Sequence, residues 1–112
     1  MVTPTPALLR GDIWLAALDP TVGSEIQKTR PCVVISPPEM NRHLRTVIVA
    51  PMTTGSRPAP FRIPLTFQQK TGLILLDRLR TLDRARLVQR LGAVKPATLA
   101  ALLDGLQVMF AP

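Results

Sequence analysis

Apolar residues in this chain come in short runs broken by proline and glycine, a pattern that predicts many short strands and little helix. Residues 11–19 read as a first strand. Ile13, Leu15 and Ala17 fall on one face, with Trp14, Ala16 and Leu18 on the other, so both faces are buried. Residues 30–36 form a second strand, rich in β-branched side chains. Pro37 and Pro38 end it, because proline cannot donate to a ladder. Residues 39–43 suit a short helical turn, and residues 46–52 a third strand apolar on both sides. Residues 61–67 alternate, as a half-exposed or edge strand does. Residues 72–76 make a fifth strand, 77–83 a junction of mixed charge, and 87–94 a last strand. The longest helix is expected over residues 95–110. Pro96 suits its first turn, and Leu99, Leu102, Leu103, Leu106 and Phe110 share one face.

Strands that are apolar on both faces point to a small closed or partly closed barrel, mainly β, with a C-terminal α-helix. The chain has 112 residues, room for one domain. Residues 1–9, with prolines at 4 and 6, read as a loose lead-in, and residues 10–112 as the domain. The hydrophobic fraction of 46% and mean hydropathy of +0.22 are high for a small domain that is 19% charged. That excess implies a tightly filled core and an apolar surface covered by a partner, a second copy being the simplest.

Fourteen Lys and Arg stand against seven Asp and Glu, for a formal charge of +7. Eleven of those fourteen are arginine, whose planar fork suits phosphate and keeps its proton. A polyanion partner follows, nucleic acid being the common one, although a solvated basic surface would look the same. Cys32 is the only cysteine and lies in an apolar strand, so it reads as a buried structural thiol in a reducing compartment. His43 is the only histidine. Classical zinc sites and Cys/His catalysis are thereby excluded, and no cofactor is expected. No apolar run approaches the roughly 20 residues of a membrane span, and no targeting segment is visible, so a cytoplasmic location is expected.

Four segments in order carry a resemblance. They are Arg10-Gly11-Asp12-Ile13-Trp14 with Asp19-Pro20-Thr21 and Gly23-Ser24-Glu25; Thr29-Arg30-Pro31 leading into Val33-Val34-Ile35-Ser36; Asn41-Arg42 with Val49-Ala50-Pro51-Met52-Thr53-Thr54; and residues 72–76 followed by Asp77 and Arg80-Thr81-Leu82-Asp83. Together they resemble the MazF/PemK toxins (the Kid and CcdB-like fold) of type II toxin–antitoxin systems, over about residues 10–110. The resemblance implies an SH3-like barrel with a C-terminal helix, assembled as a homodimer. It also implies sequence-specific cleavage of single-stranded RNA, and a cognate acidic antitoxin whose partly disordered tail blocks the groove.

Such cleavage needs no metal. The substrate's 2′-hydroxyl attacks the neighbouring phosphorus, leaving a 2′,3′-cyclic phosphate and a 5′-hydroxyl. A base must sit near the 2′-oxygen, and cations or donors near the phosphoryl oxygens. On the family pattern Arg30 contacts the scissile phosphate; an electrostatic role suits arginine better than acid catalysis. Thr53 is the expected phosphate donor, with Thr54 next to it as the other possibility. Glu25 is the candidate general base, or else orients Arg30. Gln27, Lys28, Thr54, Arg57, Asp77 and Arg80 are candidate RNA contacts, with Arg62 a further extension of the phosphate track. Asp77 and Arg80, three apart, can instead pair with each other. Trp14 sits in a doubly buried strand and reads as core. Two alternatives remain: a same-fold toxin acting on DNA gyrase, and a degenerate member that only binds antitoxin or RNA. The first is disfavoured because the C-terminal residues contain no Trp.

Overall fold

The computed structural model describes residues 7–18 and 29–112. The chain runs β1 (Asp12–Ala17), β2 (Thr29–Val34), α1 (Pro38–His43), β3 (Thr46–Thr53), β4 (Arg62–Phe67), β5 (Lys70–Leu75), β6 (Arg80–Asp83), β7 (Leu87–Ala93) and α2 (Pro96–Met109), with single 3-10 turns before and after β6. All seven strands join one antiparallel sheet in the order β4-β5-β3-β2-β1-β7, with β6 also on β3. The sheet curls into a half-barrel, and α2 covers part of it. This is the mainly β architecture expected.

β3 organises the sheet. One edge pairs with β2 through Val49, Ala50 and Pro51. The other edge is shared: Thr46 to Val49 pair with β6, and Met52 and Thr53 with β5. Pro51 falls where the neighbour changes. A proline lacks the N–H that an unbroken ladder needs, so the break is where a central strand tolerates one.

The two-sided burial read from β1, β2 and β3 is realised as two cores. Ala16, Leu18, Cys32, Val34, Val47 and Val49 pack with Leu8 and Leu82 on one face. Ile13, Val33, Ile35, Ala50 and Ile74 pack with Leu76 and Leu102 on the other. Trp14 packs against the first core, and its indole N–H is buried with no hydrogen-bond partner among the described residues. It is a packing residue rather than a stacking platform. On α2, Leu99, Leu102, Leu103 and Leu106 close the second core, as their spacing predicts. Full burial of Leu102 contributes about 2 kcal/mol. Gly105 lets the helix settle close, since a Cβ there would meet Leu76 at 2.9 Å. Phe110, expected on the same face, is instead 71% exposed. The helix ends at Met109, so the last turn no longer holds residue 110 on the stripe, and Met109 packs in its place.

Two further expectations change. Within the expected lead-in, Leu8 is buried in the first core and the Leu9 N–H donates to the Asp12 carboxylate at 3.1 Å. The expected junction over residues 77–83 contains β6. That strand carries one buried apolar side chain, Leu82, and exists because β3 offers an open edge, which local pattern cannot reveal.

The end of the sheet where β2 finishes and β3 begins is held by a buried polar knot. The Ser36 hydroxyl donates to Asn41 Oδ1 and accepts from the Ile48 N–H at 3.0 Å. Asn41 Nδ2 donates to the Leu8 and Ser36 carbonyls at 2.8 and 3.0 Å. Arg84 donates to the Asn41 carbonyl, and Arg10 Nε to the Ile35 carbonyl at 2.8 Å. At the opposite end, the β4–β5 hairpin turns through Gln68 and Gln69, with φ of 50° and 66°. Left-handed backbone costs an L residue about 1 kcal/mol or more.

Candidate active-site groove

The site is assembled at the rim of the sheet where β2 and β5 begin and β3 and β4 end. Arg30 shares a face of β2 with Cys32 and Val34, and Thr53 shares a face of β3 with Val47 and Val49. Cys32 pairs with Pro51. The ladder ends at that pair, and two residues further along each strand Arg30 and Thr53 line one groove. The rigid, doubly buried part of each strand therefore carries one polar residue to the rim, Arg30 exposed and Thr53 half-buried.

A groove of about 300 Å³ opens there, lined by Arg30, Pro31, Met52, Thr53, Thr54, Leu65, Phe67, Gln68, Lys70 and Gly72. Among the described residues its cations are Arg30 and Lys70, and its hydroxyls those of Thr53 and Thr54. The Thr53 hydroxyl accepts from the Gly55 N–H at 3.2 Å. That is the local turn bond common for threonine, but it occupies only a lone pair. The O–H remains a donor, oriented by the bond. Gly72 is sterically required beside it, because a Cβ at that position would come within 2.6 Å of the Thr53 carbonyl oxygen.

A second depression continues from the first through the shared Thr54, Leu65 and Gly72, and reaches Ser56 and Pro58. Arg57 is exposed between those two residues. Its carbonyl accepts from Arg62 Nη1 at 3.3 Å, which ties the loop down. The two depressions share Thr54, Leu65 and Gly72, while the alternate β4 and β5 residues Pro64, Thr66, Thr71 and Leu73 line only the second.

The other expected residues fall differently. Glu25, Gln27 and Lys28 lie outside the described residues. Arg80 is exposed on the strand next to β3, on the same face as Arg30, but does not line the groove. Asp77 also lies off the groove. Its expected alternative partner was Arg80, yet its ion pair is with Arg62, whose Nε and Nη2 meet the two carboxylate oxygens at 3.3 and 3.2 Å. Those hydrogen bonds hold its carboxyl below the ordinary value of 3.8. The physical reason lies in the fold: β4 and β5 pair Arg62 with Leu75, bringing the guanidinium to the turn that carries Asp77.

Cys32 behaves as expected of a structural thiol. Burial pushes it up to about 12, against the pull of Arg80 and Arg30. It cannot supply a thiolate near neutral pH. Among the described residues, no three His, Cys, Asp or Glu side chains gather as a metal-ligand set. No described helix is long and apolar enough to cross a membrane.

Sequence reasoning missed Phe67, Gln68 and Lys70. No local signal marks them. They reach the groove only because the β4–β5 hairpin folds back beside the end of β3.

Comparison with known proteins identifies the family. The family described as "PemK-like, MazF-like toxin of type II toxin-antitoxin system" matches residues 9–110. The chain is 38% identical over 106 residues to Endoribonuclease PemK of Escherichia coli, covering 89% of this chain and 80% of that protein. It is 34% identical over 100 residues to Endoribonuclease toxin MazF of E. coli K12, covering 88% and 90%. Among solved structures it is similar to a mycobacterial endoribonuclease in complex with its cognate antitoxin, at a TM-score of 0.78 and 27% identity over 95% and 98% of the two chains. It is also similar to a chain of the MazE–MazF complex of Deinococcus radiodurans, at a TM-score of 0.81 and 25% identity over 94% and 96%. A match over nearly its whole length, together with relatives above 30% identity, shows that this chain belongs to the PemK/MazF family of type II toxins.

Proposed function

We propose that the Arg30–Thr53 groove is where this protein cuts RNA. The chain is an endoribonuclease toxin of a type II toxin–antitoxin system, and the observation that carries the site is the convergence of Arg30, Thr53, Thr54 and Lys70 on one rim groove. The substrate is single-stranded RNA, cut at a short sequence. The 2′-oxygen attacks phosphorus as its proton is taken up by a base, for which Glu25 is the candidate. The P–O5′ bond breaks, giving a 2′,3′-cyclic phosphate and a 5′-hydroxyl. Charge on the phosphoryl oxygens grows along this path. Arg30 and the free Thr53 O–H are aimed to meet it, and such preorganised donors lower barriers most where charge develops. Lys70, Thr54 and Arg57 would hold the flanking backbone phosphates. No metal is required by this chemistry.

The protein acts in the cytoplasm as a homodimer and is inhibited by an acidic, partly disordered antitoxin. Exposed Val88 on β7, with Val108 and Phe110 at the end of α2, supplies uncovered apolar surface in support of a second subunit. A monomer mass by sedimentation, unchanged with concentration, would remove the dimer. The net charge of +7 suits an acidic tail. The gyrase reading is not favoured: the named relatives are endoribonucleases, and the only Trp, residue 14, is in the core.

The decisive experiment incubates purified protein with long single-stranded RNA in excess EDTA, wild type beside Arg30→Ala, and maps fragment ends. Discrete cuts with 5′-hydroxyl ends are expected, slowed about 10²–10³-fold in the variant. Arg30 is exposed at the strand end, so its removal leaves the fold intact. Equal cutting by both proteins would displace the site.

A further inference from the structure

The β4–β5 hairpin carries a feature that packing does not explain. β4 and β5 pair without a break from Arg62 and Leu75 to Phe67 and Lys70, leaving Gln68 and Gln69 as a two-residue turn. Both have positive φ. A turn of that form strongly favours Asn-Gly, because each central residue must enter the left-handed region. Two glutamines are a costly choice there. Backbone strain of this kind concentrates where a side chain must be delivered to a function.

Phe61 offers a control within the same molecule. It also has positive φ, at 66°, but its ring packs against the second core and its carbonyl accepts the Leu76 N–H at 3.0 Å. Burial and a hydrogen bond account for Phe61. Gln68 has neither: it is exposed, and no hydrogen bond joins its amide to another described residue. What it does is line the groove, between Phe67 and Lys70 and across from Arg30, Thr53 and Thr54.

Among the described residues, the groove's other polar side chains are cations and hydroxyls, which suit phosphate. A primary amide differs, since it presents a donor and an acceptor side by side. That pairing matches the edge of a nucleobase, which also shows a donor next to an acceptor. We infer that Gln68 is a specificity-determining residue that reads the edge of a base next to the scissile phosphate, and that the strained turn exists to present it. The inference rests on the groove being the RNA-cleaving site. The turn makes the reading rigid, because a two-residue hairpin has little freedom to withdraw its side chain.

The test uses full-length protein and a set of short RNA oligonucleotides, the preferred site and its single-base variants, with cleavage rates and thermal midpoints measured together. Gln69→Gly relaxes one strained position and keeps the Gln68 amide. It should raise the thermal midpoint and leave the base preference unchanged. Gln68→Gly relaxes the other position and removes the amide. It should also raise the midpoint, so failure to fold is not a concern. At one base position it should reduce the ratio of preferred to non-preferred cutting by about tenfold or more. Gln68→Asn, which keeps an amide but draws it back by one methylene, should shift the preference at that same position. An unchanged preference profile in Gln68→Gly, with cutting still dependent on Arg30, overturns the inference and leaves the groove as the cleavage site. Absence of Arg30-dependent cutting overturns both.

Discussion

The two ends of β3 show the same chain using polar residues in opposite ways. At the Thr46 end, Ser36 and Asn41 are almost fully buried, and their side-chain groups are bonded inward, to each other and to the backbone of residues 8, 36 and 48. At the Thr53 end, Arg30 is exposed, Thr53 keeps its O–H, and Lys70 and Gln68 face open space. Buried polar groups must be satisfied, so the first end is spent on stability. The second end leaves donors unspent, and unspent donors on a rigid rim are what an incoming phosphate and base require. Between them lies the doubly buried middle of β2 and β3, which transmits rigidity from the knot to the rim.

That division can be broken most severely at the knot. Asn41→Ala leaves the Ser36 hydroxyl and the Leu8 and Ser36 carbonyls without their buried partner, at a cost of about 3 kcal/mol. The denaturant midpoint should fall accordingly, while cleavage per folded molecule stays the same. Loss of activity without loss of stability would mean that the two ends are not separate. A smaller change sharpens the rim. Thr53→Val keeps the shape and removes the O–H, and cleavage should drop about tenfold, equivalent to about 1.4 kcal/mol in the transition state. Stability should barely move. Running Thr54→Val beside it settles which hydroxyl matters, and a larger loss from Thr54→Val would reassign the donor.

The smallest effect is expected at Asp77. Its pair with Arg62 is partly exposed, with side chains 40% and 20% accessible, so it is worth under about 1 kcal/mol. Because its folded pKa is lowered below 3.8, the pair stabilises above that value. The contribution is lost as the pH falls through the lowered folded value. Thermal midpoints of wild type and Asp77→Asn should therefore differ slightly at pH 6, and the gap should close as the pH falls through that lowered value. A gap that widens in acid would contradict the pairing.

The resemblance segments divide along the same line. Arg10-Gly11-Asp12 and Asn41 serve the fold: Arg10 bonds the Ile35 carbonyl, Asp12 takes Arg90 at 3.3 Å and the Leu9 N–H, and Asn41 centres the knot. Arg30-Pro31 and Thr53-Thr54 line the groove. A motif read along the chain marks both kinds of residue without separating them. Burial separates them, and burial is a property of the folded molecule.

By itself the sequence determined the strand-rich class, because two-residue alternation and proline stops are local. It determined the doubly buried strands, the C-terminal helix and the leucines that close the second core. It also singled out Arg30 and Thr53, through the family resemblance that their segments carry. Tertiary structure alone decided the rest. β6 exists because β3 has a free edge, and Asp77 meets Arg62 because β4 and β5 pair. Phe67, Gln68 and Lys70 join the groove because the hairpin returns beside Thr53. These are contacts between residues distant in sequence, set by strand register, and register is paid for by the whole hydrophobic core rather than by any local run of residues.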